Sequence, residues 1–103
     1  MPISMVSDEE MFDRIRSGCV EKRLHLQMTQ AELASRAGLS LPMIKNFERG
    51  HHVNAMSLIR ILRAIGEFQR LEALVPEVLP SPMALFNQTQ TAHRKKRVRR
   101  AKS

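Results

Sequence analysis

A chain of 103 residues with 43% apolar content is long enough for one modest hydrophobic core and too short for several domains. Four Phe, no Trp or Tyr and only four Gly point to a helical core of Leu, Ile, Met and Ala, not to the short alternating strands of a sandwich. The formal charge is +7, yet the ten acidic residues from Asp8 to Glu77 balance the ten basic residues from Arg14 to Arg70. The whole excess lies in Arg94, Lys95, Lys96, Arg97, Arg99, Arg100 and Lys102.

The start of the chain, MPISMVSDEEM, has no basic lead and no apolar stretch of signal-peptide type. No apolar run approaches the ~20 residues that span a bilayer. A cytoplasmic protein is therefore expected. The lone Cys19 cannot form an internal disulfide, which suits a reducing compartment, and it reads as a small buried hydrophobe on the first helix.

In chain order, residues 1–7 form a leader. Ser7, with Glu10 three residues on, has the spacing of a capping box, and Asp8, Glu9 and Glu10 suit the positive end of a helix dipole. The first helix is expected over residues 8–26. Phe12, Ile15 and Cys19 recur at helical spacing and Leu24 and Leu26 add apolar surface. Gly18 in its middle costs roughly 1 kcal/mol against Ala.

Thr29 and Glu32 make a second capping box at the head of a helix over residues 30–37. Gly38 stands where the backbone turns left-handed. Ser40 caps a third helix running to Arg49 and stopped by Gly50. Pro42 falls in its first turn, where a missing N–H is harmless, although the restraint on Leu41 would delay the helix by one residue.

A loop at His51–Val53 leads to Asn54, the cap of a fourth helix over residues 55–65. Leu58, Ile61, Leu62 and Ile65 give it an i, i+3, i+4, i+7 stripe. After Gly66 a fifth helix is expected over residues 67–75, burying Phe68, Leu71 and Leu74. Pro76, Pro80 and Pro82 then end regular structure.

The domain boundaries follow: a domain over 8–76, a proline-containing extension over 77–92 and a basic tail over 93–103. In the extension, Met83, Leu85 and Phe86 either pack back on the domain or form a contact with a dimer mate or another protein. The tail, HRKKRVRRAKS, is a solvated charge run or a phosphate clamp without sequence information. In a eukaryote the same string would serve as a nuclear import signal.

The segment TQAELASRAGLSLPMIKNFERG, Thr29 to Gly50, carries the function. Two helices crossing at about 90–120° around a short turn make a helix-turn-helix. Ala34 is the small residue that permits close crossing and Gly38 the turn. Leu33, Ala37, Leu39, Ile44 and Phe47 face inward, which leaves Leu41, Pro42, Lys45, Asn46 and Arg49 facing out. Lys45 suits guanine and Asn46 adenine, each worth ~1–3 kcal/mol of discrimination, against the alternative of a solvated face or phosphate contact. His51 and His52 lack further ligands of metal-site spacing, and no nucleophile motif accompanies the Ser, His and Asp residues. Neither an enzyme nor a cofactor or metal is expected.

From Lys22 to Gly66 the chain resembles the lambda-repressor-like (Cro/C1, Xre-type) DNA-binding domains, through KRLHLQMTQAELASRAG, NFERG and LIRILRAIG. The resemblance implies an all-α, five-helix fold. It also implies that Ser40, Leu41, Pro42, Lys45 and Asn46 enter the major groove. Leu41 and Pro42 depart from the polar base-readers common there; they would touch a thymine methyl or pack the turn. Gln30 matches a phosphate contact at a helix N-terminus, where free N–H groups favour anions. Arg23 and Glu48 match an internal salt bridge, with Arg23 also near the DNA backbone, and Arg49, His51 and His52 would lie close to phosphates. A bacterial repressor binding an inverted-repeat operator as a homodimer follows from the family. The layout, with LEALVPEVLPSP (Leu71–Pro82), further resembles HipB-type antitoxins, implying a HipA-type kinase toxin as partner and repression of their shared operon. Two alternatives stand beside it: a module whose chief act is to restrain the toxin, and a phage-type repressor without one.

Overall fold

The computed structural model describes residues 5–79. Five helices account for the regular structure of those residues: α1 (Asp8–His25), α2 (Gln30–Ala37), α3 (Leu41–Glu48), α4 (Ala55–Ala64) and α5 (Phe68–Ala73). Among the described residues there is no strand. The expected extension beyond Leu79, with Met83, Leu85 and Phe86, and the basic tail lie outside the described residues.

Four of the five helices begin where a short polar side chain can replace a missing intrahelical acceptor. Ser7 Oγ accepts from the Glu10 N–H at 3.1 Å, Ser40 Oγ from Met43 at 3.2 Å and Asn54 Oδ1 from Ser57 at 2.8 Å. Thr29 completes a reciprocal box: its Oγ1 accepts from the Glu32 N–H at 3.0 Å, and Glu32 Oε1 accepts from the Thr29 N–H at 3.1 Å. α5 has no such cap and is shorter at both ends than its sequence suggests. The ends of α1, α3 and α4 fall one residue earlier than expected, because Leu26, Arg49 and Ile65 serve as C-caps. Pro42 does not delay α3, which starts at Leu41. Gly38 closes α2 with φ +69°, the left-handed conformation that its position requires.

The core is a single cluster at which all but α5 converge. Leu33 and Ala34 from α2, Ile44 and Phe47 from α3, and Ile61 from α4 are buried, joined by Cys19 of α1 and by Met28 and Ile65. α2 packs on both α3 and α4, α1 packs on α3, and α5 rests on α4. Phe12 meets Phe47 edge to face at 6.0 Å, which brings the first half of α1 onto the back of α3.

Two apolar expectations fail. Leu24 and Leu26 are exposed: Cys19 and Arg23, one helical turn apart, mark the inward face of α1, and Leu24 lies off it. Phe68 and Leu74 are also exposed and Leu71 is only half-buried. α5 is six residues long and packs chiefly on α4, which leaves much of its apolar side uncovered among the described residues. Phe68 instead lies beneath the Arg63 guanidinium, 5.7 Å from the ring centre.

The α2 cap carries a pH signature. Its hydrogen bonds with the Thr29 backbone and hydroxyl hold the Glu32 carboxyl below its ordinary value. A depressed folded-state pKa contributes stability that is present above the unfolded value and lost as pH falls through the folded one. In Glu32→Gln that component is absent, so urea denaturation below pH 5 should show a shallower loss of stability with falling pH than in the unaltered chain. Parallel pH profiles for the two proteins would mean that the cap does not depend on the charge of Glu32.

Candidate nucleic-acid interface

The outward row of α3 rests on a rigid inner row. Ile44 and Phe47 have no solvent exposure, while Pro42, Lys45, Asn46 and Arg49 on the same short segment reach the surface. Ser40 is exposed at the head of the helix. Leu41 departs from the expected outward set: it is half-buried and packs against the core cluster, so at least part of its side chain serves the turn.

Glu48 fixes this helix in the domain. Its carboxylate receives Arg23 Nε at 2.7 Å and Nη2 at 3.0 Å, a two-pronged pair in which both side chains are about 10% exposed. Arg23 Nη1 donates in addition to the Met28 carbonyl at 2.8 Å. With its guanidinium spent on Glu48 and Met28, Arg23 is a structural residue, and the phosphate contact expected of it gains no support. Gln30 Nε2 donates to the same carboxylate at 2.8 Å. One acid thus links α1, the head of α2 and the end of α3.

Gln30 is half-buried and held by Glu48 at the N-terminus of α2. The capping box uses the N–H groups of Thr29 and Glu32, which leaves those of Gln30 and Ala31 as first-turn donors. Such donors, with the helix dipole, favour an anion there. Beyond α3, His51 is exposed and its N–H donates to the Asn46 carbonyl at 3.0 Å. His52 is drawn to α1: its Nε2 is 3.0 Å from the Glu9 carboxylate, and its ring meets Phe12 edge to face at 5.0 Å.

Sequence reasoning missed two contacts that shape this region. Arg16 of α1 reaches the last turn of α3, with Nη1 3.5 Å from the Glu48 carbonyl, where a cation meets the negative end of the helix dipole. The Glu9–His52 contact is the second. Neither has a local signature, because the partners stand 32 and 43 residues apart.

The arrangement is therefore two helices joined by a left-handed glycine, the second with a buried inner face and an exposed, polar and cationic outer face. Residues 21–67, a little under half of the chain, match the family model described as Helix-turn-helix. The match runs from the end of α1 through the α4–α5 turn and takes in α2 and α3 whole. No curated protein and no solved structure matches the chain. Among the described residues no helix is long and apolar enough to cross a membrane, and no group of three or more His, Cys, Asp or Glu could hold a metal ion.

Removing one half of a nearly buried ion pair leaves the other half uncompensated, at a cost of about 3–5 kcal/mol. Arg23→Ala should therefore lower the free energy of urea unfolding by roughly that amount. A loss within the range of an exposed pair, below about 1 kcal/mol, would show that the Arg23–Glu48 contact is not what holds α3 to α1.

Proposed function

We propose that the domain is a sequence-specific transcriptional repressor that lays α3 in the major groove of an operator. The observation that carries this reading is the two-sided construction of α3. A helix whose inner residues are locked at zero exposure presents Lys45, Asn46 and Arg49 with few soft modes behind them. Positioned donors of this kind read base edges: Lys45 toward guanine O6 and N7, Asn46 toward adenine N6 and N7. Ser40, Pro42 and the accessible part of Leu41 complete the groove-facing set. Gln30 with the α2 N-terminus, and Arg49, His51 and His52 after α3, are the candidates to meet phosphates.

Residues 1–93 bring no excess charge to a polyanion, with ten acids against ten bases. The chain's general attraction to DNA is assigned to Arg94, Lys95, Lys96, Arg97, Arg99 and Arg100, whose positive charge would release counterions on binding. As a homodimer the protein would present two copies of α3 about 34 Å apart to successive major grooves of an inverted repeat. A cytoplasmic location follows for such a regulator.

The narrower HipB-like reading makes this repressor the antitoxin of a kinase toxin's operon. It draws on the exposed Phe68, Val75, Val78 and Leu79 in and after α5, apolar side chains of the sort that a protein partner covers. A co-transcribed kinase gene next to this one would favour it, and a phage integrase gene in that place would favour the phage-type repressor.

Two measurements test the DNA reading. On a duplex selected by this protein from a randomised pool, Lys45→Ala and Asn46→Ala should each cost about 1–3 kcal/mol, with a smaller loss on random duplex. Equal losses on both would remove the base-reading role. Deleting residues 94–103 should weaken binding to both duplexes and flatten the dependence of log K on log salt by about 0.9 for each phosphate that the tail neutralises. A slope that does not change would exclude the tail from the interface.

A further inference from the structure

A groove of about 810 Å³ opens between α1, α4 and α5, and no residue of α3 lines it. Its apolar lining includes Ile15, Cys19, Leu58, Leu62, Ile65 and Leu74. The charges at its rim are largely matched. Glu67 takes both Lys22 at 3.3 Å and Arg70 at 3.1 Å, and Arg14 and Glu21, one of each sign, also line the groove. These contacts hold the Glu67 carboxyl below its ordinary value, Lys22 first among the causes. The groove therefore favours an occupant that is apolar and uncharged. Among the described residues nothing fills it.

The chain supplies one. From Val78 to Ala92 no side chain is ionisable, and Met83, Leu85 and Phe86 fall within that span. Leu74, on the groove wall, precedes Met83 by nine residues, which reach at most roughly 30 Å when extended. α5 is only about 9 Å long, so the chain has slack enough to return along the groove. Pro76, Pro80 and Pro82 restrict the free linker and lessen the entropy lost on closing it. A short tether also gives the segment an effective concentration on the order of mM, above that of a second copy or another protein at ordinary levels.

We propose that the groove between α1, α4 and α5 is the docking site of this chain's own Met83–Phe86 segment, which covers Leu58, Leu62 and Leu74 and completes the core on that side. The occupant is intramolecular. A second copy or a different protein in the groove is the competing outcome.

The full chain carries its own probe, since Cys19 is the sole thiol and lines the groove. It is buried, and burial with the nearby Glu67 and Glu48 pushes the thiol up to about 11, so labelling is slow and sensitive to cover. In isotope-edited NMR of the full chain, the Phe86 ring should show contacts to methyl groups of Ile15, Leu58 or Leu62. Those contacts should persist as intrachain signals in a mixture of labelled and unlabelled protein. The triple change Met83→Ser, Leu85→Ser, Phe86→Ser leaves the described helices untouched and should speed iodoacetamide labelling of Cys19 about fivefold, the factor for roughly 1 kcal/mol of docking. Unchanged helicity by circular dichroism guards against a folding defect. Absent contacts with an unchanged labelling rate overturn the proposal, and so do contacts that appear only between chains.

Discussion

Glu48 is the point on which the placement of α3 depends. α3 is eight residues long, too short to hold its helical form or its direction without tertiary support. Apolar packing through Ile44 and Phe47 sets its depth but is non-directional. Direction comes from a planar guanidinium meeting a planar carboxylate, with Gln30 donating to the same group. The pair is nearly buried, so its net contribution to stability is modest against an apolar replacement, whereas the loss of one partner is costly. Its value is geometric: the head of α2, with its free N–H groups, and the body of α3 are referred to one carboxylate. Rotating α3 would break three hydrogen bonds at once.

Charge placement follows a similar economy. The bases of the helical domain are offset by acids, and several acids are already engaged: Glu48 with Arg23, Glu67 with Lys22 and Arg70, Asp13 with Arg16 at 3.2 Å. The cations of the α3 segment, Lys45 and Arg49, lack such partners among the described ion pairs. The first turn of α1, by contrast, carries Asp8, Glu9 and Glu10 at the positive end of its own dipole. Glu9 reaches across to His52, so the acidic turn abuts the loop that follows α3. A helical region this close to neutral gains little from indiscriminate Coulomb attraction to a polyanion.

How much of this could be read in the sequence depends on whether the cause is local. Ser7, Thr29, Ser40 and Asn54 mark helix starts correctly because a cap and the N–H that it accepts lie three residues apart. Leu33, Ala37, Ile44, Phe47, Ile61 and Ile65 are buried as their spacing implies, because each helix has a neighbour on that side. Phe68 and Leu74 have the same spacing without the neighbour, so periodicity alone overstates their burial. Leu24 lies outside for a related reason. The inward face of α1 runs through Cys19 and Arg23 and Leu24 falls off it, while the left-handed Gln27 at φ +55° turns the chain so that Met28 is buried. Arg16 and His52 were illegible as contacts because their partners are fixed only by the crossing of α1 over α3. For the outward face of α3 the sequence states which residues are offered, whereas the base each would meet is a property of the duplex as well.

The exposed apolar side of α5 bears on the same division between local and global causes. A six-residue helix without a side-chain cap has little intrinsic stability, since nucleation alone fixes several dihedrals for one hydrogen bond. Yet Leu71 sits half-buried, and Glu67, immediately before the helix, holds both Lys22 of α1 and Arg70 of α5 itself. These contacts tie the start of α5 to the domain and leave its end, at Ala73 and Leu74, with no described anchor. Apolar cover over Leu58, Leu62 and Leu74 would supply the missing anchor without changing the α2–α3 unit. The α1–α3 face is held independently of that side, by Arg23, Glu48 and Phe12. One small core thus supports an α2–α3 unit fixed from the α1 side and an α4–α5 side held by other contacts.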